Sequence, residues 1–136
     1  MKAHFSIFPI GIIRKQAEST AIHIFPEFQD ALLGLEGFSH INVFYWFHKN
    51  DSAEKRSILQ VHPRGEPSNP RTGVFATHSP VRPNLIAFSL CRILSIVGGI
   101  IHIDKIDAVD GSPVIDIKCY IPPSVAPDDV RLPNWV

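Results

Sequence analysis

The segment from Gly73 to Asn84 contains the highest density of side chains able to contact a ligand. An apolar stretch runs into a loop in which His78, Ser79 and Arg82 are interleaved with prolines. Proline restricts the backbone, so we expect this loop to hold its hydrogen-bond donors in place before a ligand arrives. The planar guanidinium of Arg82 suits a carboxylate or a phosphate. The segment is therefore either an anion-binding loop or a stiff loop with a purely structural role.

Charge is distributed unevenly along the chain, although 13 basic residues balance 13 acidic ones. Residues 67–103 contain no acidic residue but include Arg71, Arg82 and Arg92. A protein without net charge can therefore still present a face that attracts anions. The alternative is that these arginines are solvated or paired with acidic side chains elsewhere in the fold.

A second candidate segment is the aromatic stretch of residues 40–48, which ends in His48 and is followed by Lys49. Side chains alternate between the two faces of a strand. One face carries Val43, Tyr45 and Phe47, and the other carries Phe44, Trp46 and His48. Because both faces are apolar, we predict a central strand that is buried on both sides. His48 at its end either binds a ligand or only forms a backbone hydrogen bond.

Other chemistries have little support in the sequence. The seven histidines show no spacing typical of a metal site, so no metal is expected. Cys91 and Cys119 are too few for a disulfide scaffold, and we interpret them as buried free thiols in a reducing cytoplasm. We predict no signal peptide, because the apolar N-terminal stretch lacks a basic region. We also predict no membrane span, because polar residues and Gly98-Gly99 interrupt the longest apolar run.

The elements that must position these residues are short strands within a single domain, residues 1–136. Strands are predicted at Phe5–Ile13, Thr20–Phe25, His40–His48, Ser57–His62, Gly73–Thr77, Ile86–Val97, Ile100–Lys105 and Val114–Ile121. Proline at the start and glycine after the end predict one short helix at Pro26–Leu33. Turns are predicted at Gly98-Gly99 and at residues 110–113. This pattern predicts an all-β fold, a small antiparallel β-barrel or sandwich with one short helix.

Several motifs occur in a fixed order over nearly the whole chain. They are Pro9-Ile10-Gly11-Ile12-Ile13, Phe25-Pro26-Glu27-Phe28, Gly34-Leu35-Glu36-Gly37-Phe38-Ser39-His40-Ile41, Trp46-Phe47-His48, Gly73-Val74-Phe75-Ala76-Thr77, Ser79-Pro80, Arg82-Pro83-Asn84, Asp110-Gly111-Ser112-Pro113-Val114, Asp116-Ile117-Lys118 and Tyr120-Ile121-Pro122. In this order they resemble the TsaA-like family, which includes the tRNA methyltransferase O enzymes. The resemblance implies a compact β-barrel that binds S-adenosyl-L-methionine (SAM) and works as a cytoplasmic homodimer. It also implies methylation of the exocyclic nitrogen of threonylcarbamoyl-adenosine beside the anticodon of tRNA.

The resemblance also implies where the cofactor is bound. The implied contacts are His48 and Lys49, then His78, Ser79, Arg82 and Phe88, and finally Asp110, Gly111, Ser112 and Pro113. Arg64 and Arg71 are weaker candidates for contacts with nucleic acid. No catalytic residue is implied, and only their pKa class makes His48 and His78 candidates for a general base.

The chain departs from the family pattern at positions that fall in the expected cofactor site. His78 stands where the family usually has arginine, and residues 85–88 lose a proline and a glycine. The segment 14–18 is predicted to form a shortened loop. The leading hypothesis is a SAM-dependent methyltransferase acting on tRNA. The alternatives are a SAM-dependent methyltransferase of a small molecule and a SAM-binding barrel without catalysis.

Overall fold

A computed structural model describes residues 2–136 as a closed six-stranded barrel with a small separate sheet. The eight strands are β1 (Gly11–Gln16), β2 (Ser19–Ile24), β3 (His40–Trp46), β4 (Gln60–Val61), β5 (Thr72–Gly73), β6 (Ile86–Val97), β7 (Ile100–Ile103) and β8 (Pro113–Cys119). Around the barrel the order is β1-β2-β7-β6-β3-β8, and every neighbouring pair is antiparallel. The predicted all-β barrel is confirmed.

The barrel interior is filled mainly by branched aliphatic side chains from five of the six strands, and β6 contributes Ala87 and Cys91. The residues that are fully excluded from solvent include Ile13, Ile22, Ile41, Val43, Ile101, Ile103 and Val114. Burying one such side chain contributes about 1.5–3 kcal/mol to folding. β-Branched residues suit this position because they pack well on a pleated surface. The alternation of inward and outward side chains along each strand therefore defines the core.

Strand β3 is central, as predicted, because it pairs with β6 on one side and β8 on the other. The prediction that both of its faces are buried is wrong. Ile41, Val43 and Tyr45 point into the core, whereas Phe44 and Trp46 on the outer face are only half-buried. A single closed barrel has only one interior, so the second apolar face of β3 lies on the outside of the wall.

Two predicted turns are present, both ends of β1 differ from the prediction, and the ends of β2, β3, β7 and β8 differ by one or two residues. Gly98, at the β6–β7 turn, has a φ of 60°, which glycine adopts without strain. Residues 14–16 continue β1 as far as Gln16 instead of forming a loop, because Gln16 pairs with Ser19 across a two-residue turn. Strand β1 begins at Gly11 and not at Phe5. Pro9 has no N–H to donate to a neighbouring strand at that position.

The predicted strands Ser57–His62 and Gly73–Thr77 shrink to β4 and β5, which pair only with each other. The segment that connects them contains Pro63, Pro67 and Pro70, which limit longer pairing because proline has no N–H to donate. The predicted helix at Pro26–Leu33 is a 3-10 helix over Pro26–Leu32. One α-helical turn that was not predicted, α1 (Ala53–Arg56), begins after Ser52. Further 3-10 turns lie at Leu35–Gly37, His48–Asn50, Pro63–Gly65 and Val74–Ala76.

Both cysteines are free thiols, as predicted, but only Cys91 is fully buried. Its burial inside the barrel raises the pKa of the Cys91 thiol to about 11. Cys119, the last residue of β8, is half-buried. Between residues 2 and 136, no helix has the length and apolar character needed to cross a bilayer.

A close backbone approach makes Gly11 a sensitive position in the barrel wall. A Cβ at Gly11 would lie 2.5 Å from the carbonyl oxygen of His23 on β2. We expect Gly11→Ala to lower the free energy of unfolding by about 1–3 kcal/mol, because β1 and β2 must move apart. Gly37→Ala is the matched control, since no heavy atom lies within 4 Å of its added carbon. Urea denaturation of both variants measures the effect, and equal unfolding free energies would contradict this account.

Candidate functional site

Two neighbouring cavities open where β3 ends and β6 begins, with volumes of about 350 and 300 Å³. Tyr45, Phe47 and Asp107 line both of them. The first cavity is also lined by His48, Lys49, Asn50, Pro80 and Ser112, and the second by His78, Arg82, Ile86, Phe88 and Ser89. Six of the ten predicted cofactor residues thus line this pair of cavities: His48, Lys49, His78, Arg82, Phe88 and Ser112.

His48 begins the 3-10 turn that follows β3 and carries the clearest unmet polar group of the site. Its Nδ1 atom is buried and has no hydrogen-bond partner among residues 2–136. A buried polar nitrogen without a partner costs about 1–3 kcal/mol. A ligand that offers a hydrogen-bonding group in the first cavity would recover that free energy. Lys49, next in the chain, is exposed and supplies a positive charge to the same cavity.

The loop of residues 77–82 is held by its own hydrogen bonds as well as by its prolines. The backbone N–H of Ser79 donates to Thr77 Oγ1 at 3.1 Å, and that of Val81 donates to Ser79 Oγ at 3.2 Å. The Nη1 atom of Arg82 donates to the carbonyl oxygens of Thr77 and Ser79, both at 3.2 Å. The predicted stiff loop is therefore present, and part of the Arg82 guanidinium stabilises the loop itself.

Contacts from the segment after β3 tie it to this loop. Asn50 Nδ2 donates to the carbonyl oxygen of Pro80 at 3.2 Å, and Arg56 Nε donates to that of Pro83 at 2.9 Å. Arg56 also pairs with Asp51 at 3.3 Å and lies 5.6 Å from the centroid of the Trp46 ring. Two chain segments far apart in sequence thus form one braced unit around the cavities.

Lys15 positions the loop that carries Asp107. Its ammonium group donates to the carbonyl oxygens of Ile106 at 2.7 Å and Ala108 at 3.0 Å, one on each side of Asp107. The backbone N–H of Lys15 donates to Asp110 Oδ1 at 2.8 Å. Strand β1 therefore fixes the path of residues 106–110, and Asp107 remains exposed at the two cavities.

The predicted turn at residues 110–113 is used mainly by the barrel. The Asp110 carboxylate accepts the Lys15 N–H, and the Gly111 N–H donates to the carbonyl oxygen of Ile13 at 2.8 Å. Ser112 is buried, and its hydroxyl donates to the carbonyl oxygen of Val109 at 2.7 Å. Of the four turn residues Asp110, Gly111, Ser112 and Pro113, only Ser112 lines either of the two cavities. A cofactor contact at Asp110, Gly111 or Pro113 stays a prediction.

A third cavity, of about 990 Å³, adjoins the other two and is lined by predicted site residues that the first two cavities lack. Arg64, His78 and Ser79 line it. Arg64 is exposed in the 3-10 turn Pro63–Gly65, after β4, whereas Arg71 is exposed just before β5 and does not line this cavity. Because β4 pairs with β5, both arginines lie in or beside the small β4–β5 hairpin, residues 60–73, which is separate from the barrel.

Burial and charge act together on Tyr45, which sits where the first two cavities meet. Desolvation raises the pKa of its phenol above the ordinary value, and a hydrogen bond with Ser89 opposes this rise. The nearby carboxylate of Asp107 raises the pKa further, since a phenolate would be repelled by it. Tyr45 is therefore a neutral phenol near pH 7, able to donate or accept a hydrogen bond.

Sequence reasoning missed Asp107 as a lining residue of the candidate site and Lys15 as the residue that holds its loop. Asp107 is the one acidic side chain among the residues lining the three cavities. Its place in an acid-rich stretch, three residues before Asp110, was the only signal in the sequence. Lys15 lies 91 residues before Ile106, so only the closed barrel reveals that it holds the loop. Across residues 2–136, no three His, Cys, Asp or Glu side chains are grouped as a metal site.

Comparison with known proteins agrees with this architecture. The chain is 51% identical over 112 residues to a probable S-adenosyl-L-methionine-binding protein of Methanocaldococcus jannaschii, covering 82% of this chain and 89% of that protein. It is 40% identical over 110 residues to human tRNA (adenine(37)-N6)-methyltransferase, covering 81% of this chain and 24% of that enzyme. The crystal structure of TrmO from Pseudomonas aeruginosa superposes with a TM-score of 0.74 at 30% identity.

The superposition covers 99% of this chain and 63% of the TrmO chain, so this chain spans less than two thirds of that protein. The family of tRNA-methyltransferase O N-terminal domains matches residues 5–125, which include the whole barrel and its connecting loops. The motifs that suggested the family lie in strands and loops of the matched region. The chain belongs to the tRNA-methyltransferase O family, of which it contains the N-terminal domain.

Proposed function

We propose that this protein is a SAM-dependent methyltransferase that methylates the exocyclic nitrogen of a modified adenosine beside the anticodon of tRNA. The observation that carries the proposal is the pair of cavities that share Tyr45, Phe47 and Asp107. A cofactor bound in these cavities and an acceptor that reaches their junction would be held close together, which is the main requirement of a methyl transfer. Family membership and relatives named as SAM-binding proteins and tRNA methyltransferases support the same function.

The residues of the first two cavities fit the cofactor. The unpartnered Nδ1 of His48 offers a hydrogen-bonding position that a polar ligand would satisfy. Lys49 and Arg82 supply positive charge suited to the carboxylate of the amino-acid end. Phe47 and Phe88 provide apolar surface for the remainder. When bound, SAM supplies a methyl group on a sulfonium, and its leaving group is a neutral thioether.

Asp107 is the best candidate for the proton acceptor. A nitrogen that gains the methyl group would have to lose its proton to a base, because the departing neutral thioether is too weak a base to take it. A carboxylate at the junction of the two cavities can take that proton, and Lys15 holds its loop from both sides. The neighbouring phenol of Tyr45 is neutral near pH 7, so it cannot serve as the base.

We assign the contacts with tRNA to the β4–β5 hairpin, residues 60–73. Arg64 and Arg71 are both exposed there, and no acidic residue occurs between residues 67 and 103. Because the chain has no net charge, local basic groups must provide the attraction to phosphate. The competing small-molecule acceptor is tested by salt. Binding of tRNA should weaken steeply with ionic strength, whereas turnover of a small neutral acceptor should not.

We also propose that the protein is a homodimer, formed through the outer face of the β3–β6 pair. Ile86, Phe88 and Leu90 alternate along this face of β6 and are each about half-exposed. Phe88 packs against Phe44 at 5.4 Å between ring centroids, which extends the apolar surface onto β3. Apolar patches of this kind mark interaction sites, and in a twofold-symmetric dimer the same patch of each subunit covers that of its partner.

We also propose a cytoplasmic location, which cell fractionation and immunoblotting would test.

The cofactor assignment predicts a specific effect of His48. His48→Ala should raise the dissociation constant for SAM about tenfold or more, because the hydrogen bond to a buried imidazole is lost. Calorimetric titration with SAM and with its demethylated product measures this. His23→Ala is the matched control, since His23 is exposed on β2 and lines none of the three cavities. Equal affinities in the two variants would remove His48 from the site.

The role of Asp107 predicts a separation of binding from catalysis. Asp107→Asn should lower the rate of methyl transfer to tRNA by about 10²–10⁴ while leaving the dissociation constant for SAM within twofold. Transfer of radiolabelled methyl groups gives the rate, and calorimetry gives the affinity. Asp30→Asn, an exposed aspartate outside the cavities, should retain the wild-type rate. A rate in Asp107→Asn equal to that of Asp30→Asn would exclude Asp107 as the base.

The dimer proposal predicts that one charge on the apolar face separates the subunits. Sedimentation velocity should give wild-type protein twice the mass of the 15.2 kDa chain. Leu90→Glu should sediment as a monomer, because it places a carboxylate on a face that a partner would cover. Leu33→Glu is the control, because Leu33 is 93% exposed and lies outside that face. Monomeric wild-type protein, or a dimeric Leu90→Glu variant, would refute this interface.

A further inference from the structure

The third cavity has walls from three parts of the chain. One wall is the turn that contains Arg64, a second is the loop through His78, and the third is formed by the last residues of the chain, including Trp135. The full lining is Val61, His62, Pro63, Arg64, Gly65, Ala76, Thr77, His78, Ser79, Pro80, Leu132, Pro133, Trp135 and Val136. The family match ends at residue 125, so the third wall lies outside the matched domain.

The chemistry of this cavity suits a planar heterocycle that bears a phosphate. Its surface is mostly apolar, with Trp135 and several prolines and aliphatic side chains. Trp135 is half-buried, so part of its ring remains available for contact. Arg64 adds a permanent positive charge, and His62 and His78 add imidazoles. A volume of about 990 Å³ is large enough for a nucleoside with a bulky substituent.

The position of Arg64 is held by an unusual backbone conformation. Arg64 has a φ of 60°, and it is the only non-glycine residue with a positive φ among residues 2–136. Its turn is closed by the Gly65 N–H donating to the carbonyl oxygen of His62, at 3.1 Å. Asn69 Nδ2 also donates to the carbonyl oxygen of Pro63, at 2.9 Å. Non-glycine residues rarely adopt this conformation, and it persists only where the surrounding structure enforces it.

The third cavity is joined to the other two through a shared loop. Thr77 and His78 line both the second and the third cavity, and Pro80 lines both the first and the third. A group bound in the third cavity therefore contacts the same loop as the proposed cofactor. The same loop is braced by Arg82 and Asn50, so the separation between the cavities is fixed.

We propose that the third cavity binds an unstacked nucleotide of the single-stranded anticodon loop, with its base on Trp135 and its phosphate on Arg64. RNA loops are commonly recognised through bases that stack on aromatic side chains, with nearby cations on the backbone. This inference rests on the proposed function, since it concerns how the same tRNA is held. It assigns to residues 132–136 a direct part in RNA binding.

The test measures RNA affinity separately from SAM affinity and from catalysis. A fluorescently labelled anticodon stem-loop containing threonylcarbamoyl-adenosine is titrated with the full chain at two salt concentrations. Trp135→Ala should raise its dissociation constant about tenfold or more, since stacking on one aromatic ring contributes about 1–3 kcal/mol. Trp135→Phe should retain most of the affinity. Calorimetry should give an unchanged dissociation constant for SAM in both variants.

One further variant tests the phosphate contact, and another serves as a control for the tail. Arg64→Gly removes the cation and suits the left-handed backbone, so it should reduce the salt dependence of RNA binding by about one phosphate contact. Val130→Ala is the control, because Val130 is an exposed tail residue that does not line the cavity. Unchanged RNA affinity in Trp135→Ala would overturn the inference, as would an equal loss in Val130→Ala or a parallel loss of SAM affinity.

The outcomes also separate this inference from the proposed function. If wild-type protein transfers methyl groups to tRNA but Trp135→Ala binds the stem-loop normally, only the nucleotide site is refuted. If wild-type protein binds the stem-loop through Trp135 but transfers no methyl group, the nucleotide site stands and the proposed catalysis fails. Intrinsic tryptophan fluorescence provides a third readout. Stem-loop addition should quench it in wild-type protein and less so in Trp135→Phe, because stacking places the base on that indole.

Discussion

Strand β8 pairs with both β1 and β3, and this double pairing closes the barrel. Along β3 its register shifts between Phe44 and Tyr45, so that Ile115 is an extra residue in β8. A bulge of this kind bends a strand and changes the direction of the side chains beside it. It lies where β3 reaches the cavities, and the turn before β8 is held to β1 by Gly111 and Asp110. Closure therefore sets the positions of all the loops that form the site.

The loops around the cavities are rigid because each is tied to another element. Arg82 holds its own loop, Asn50 and Arg56 connect that loop to the segment after β3, and Lys15 fixes the loop of Asp107. A site held in this way loses little conformational entropy when ligands bind. Methyl transfer depends chiefly on alignment of the two reactants, so such bracing is where this fold can contribute to the rate.

Local sequence patterns predicted the central parts of the fold well and its edges poorly. The twelve residues of β6 were predicted to the residue because apolar, mostly β-prone residues run up to Gly98-Gly99, which ends the strand. The prediction failed at β4 and β5, where β-prone residues find no partner in the barrel and pair over only two residues. Strand propensity describes a side chain on a pleated surface, and only the tertiary fold decides whether such a surface is available.

The sequence by itself determined the fold class, the family and two of the segments that form the site, because motifs and alternation are local properties of the chain. The tertiary structure alone decided which side chains share a cavity. It brought Asp107 beside Tyr45, set Lys15 against a loop 91 residues away and placed Trp135 and Arg64 in the lining of one cavity. It also committed Asp110 and Gly111 to the barrel wall. These relations depend on barrel closure and strand register, which no local pattern encodes.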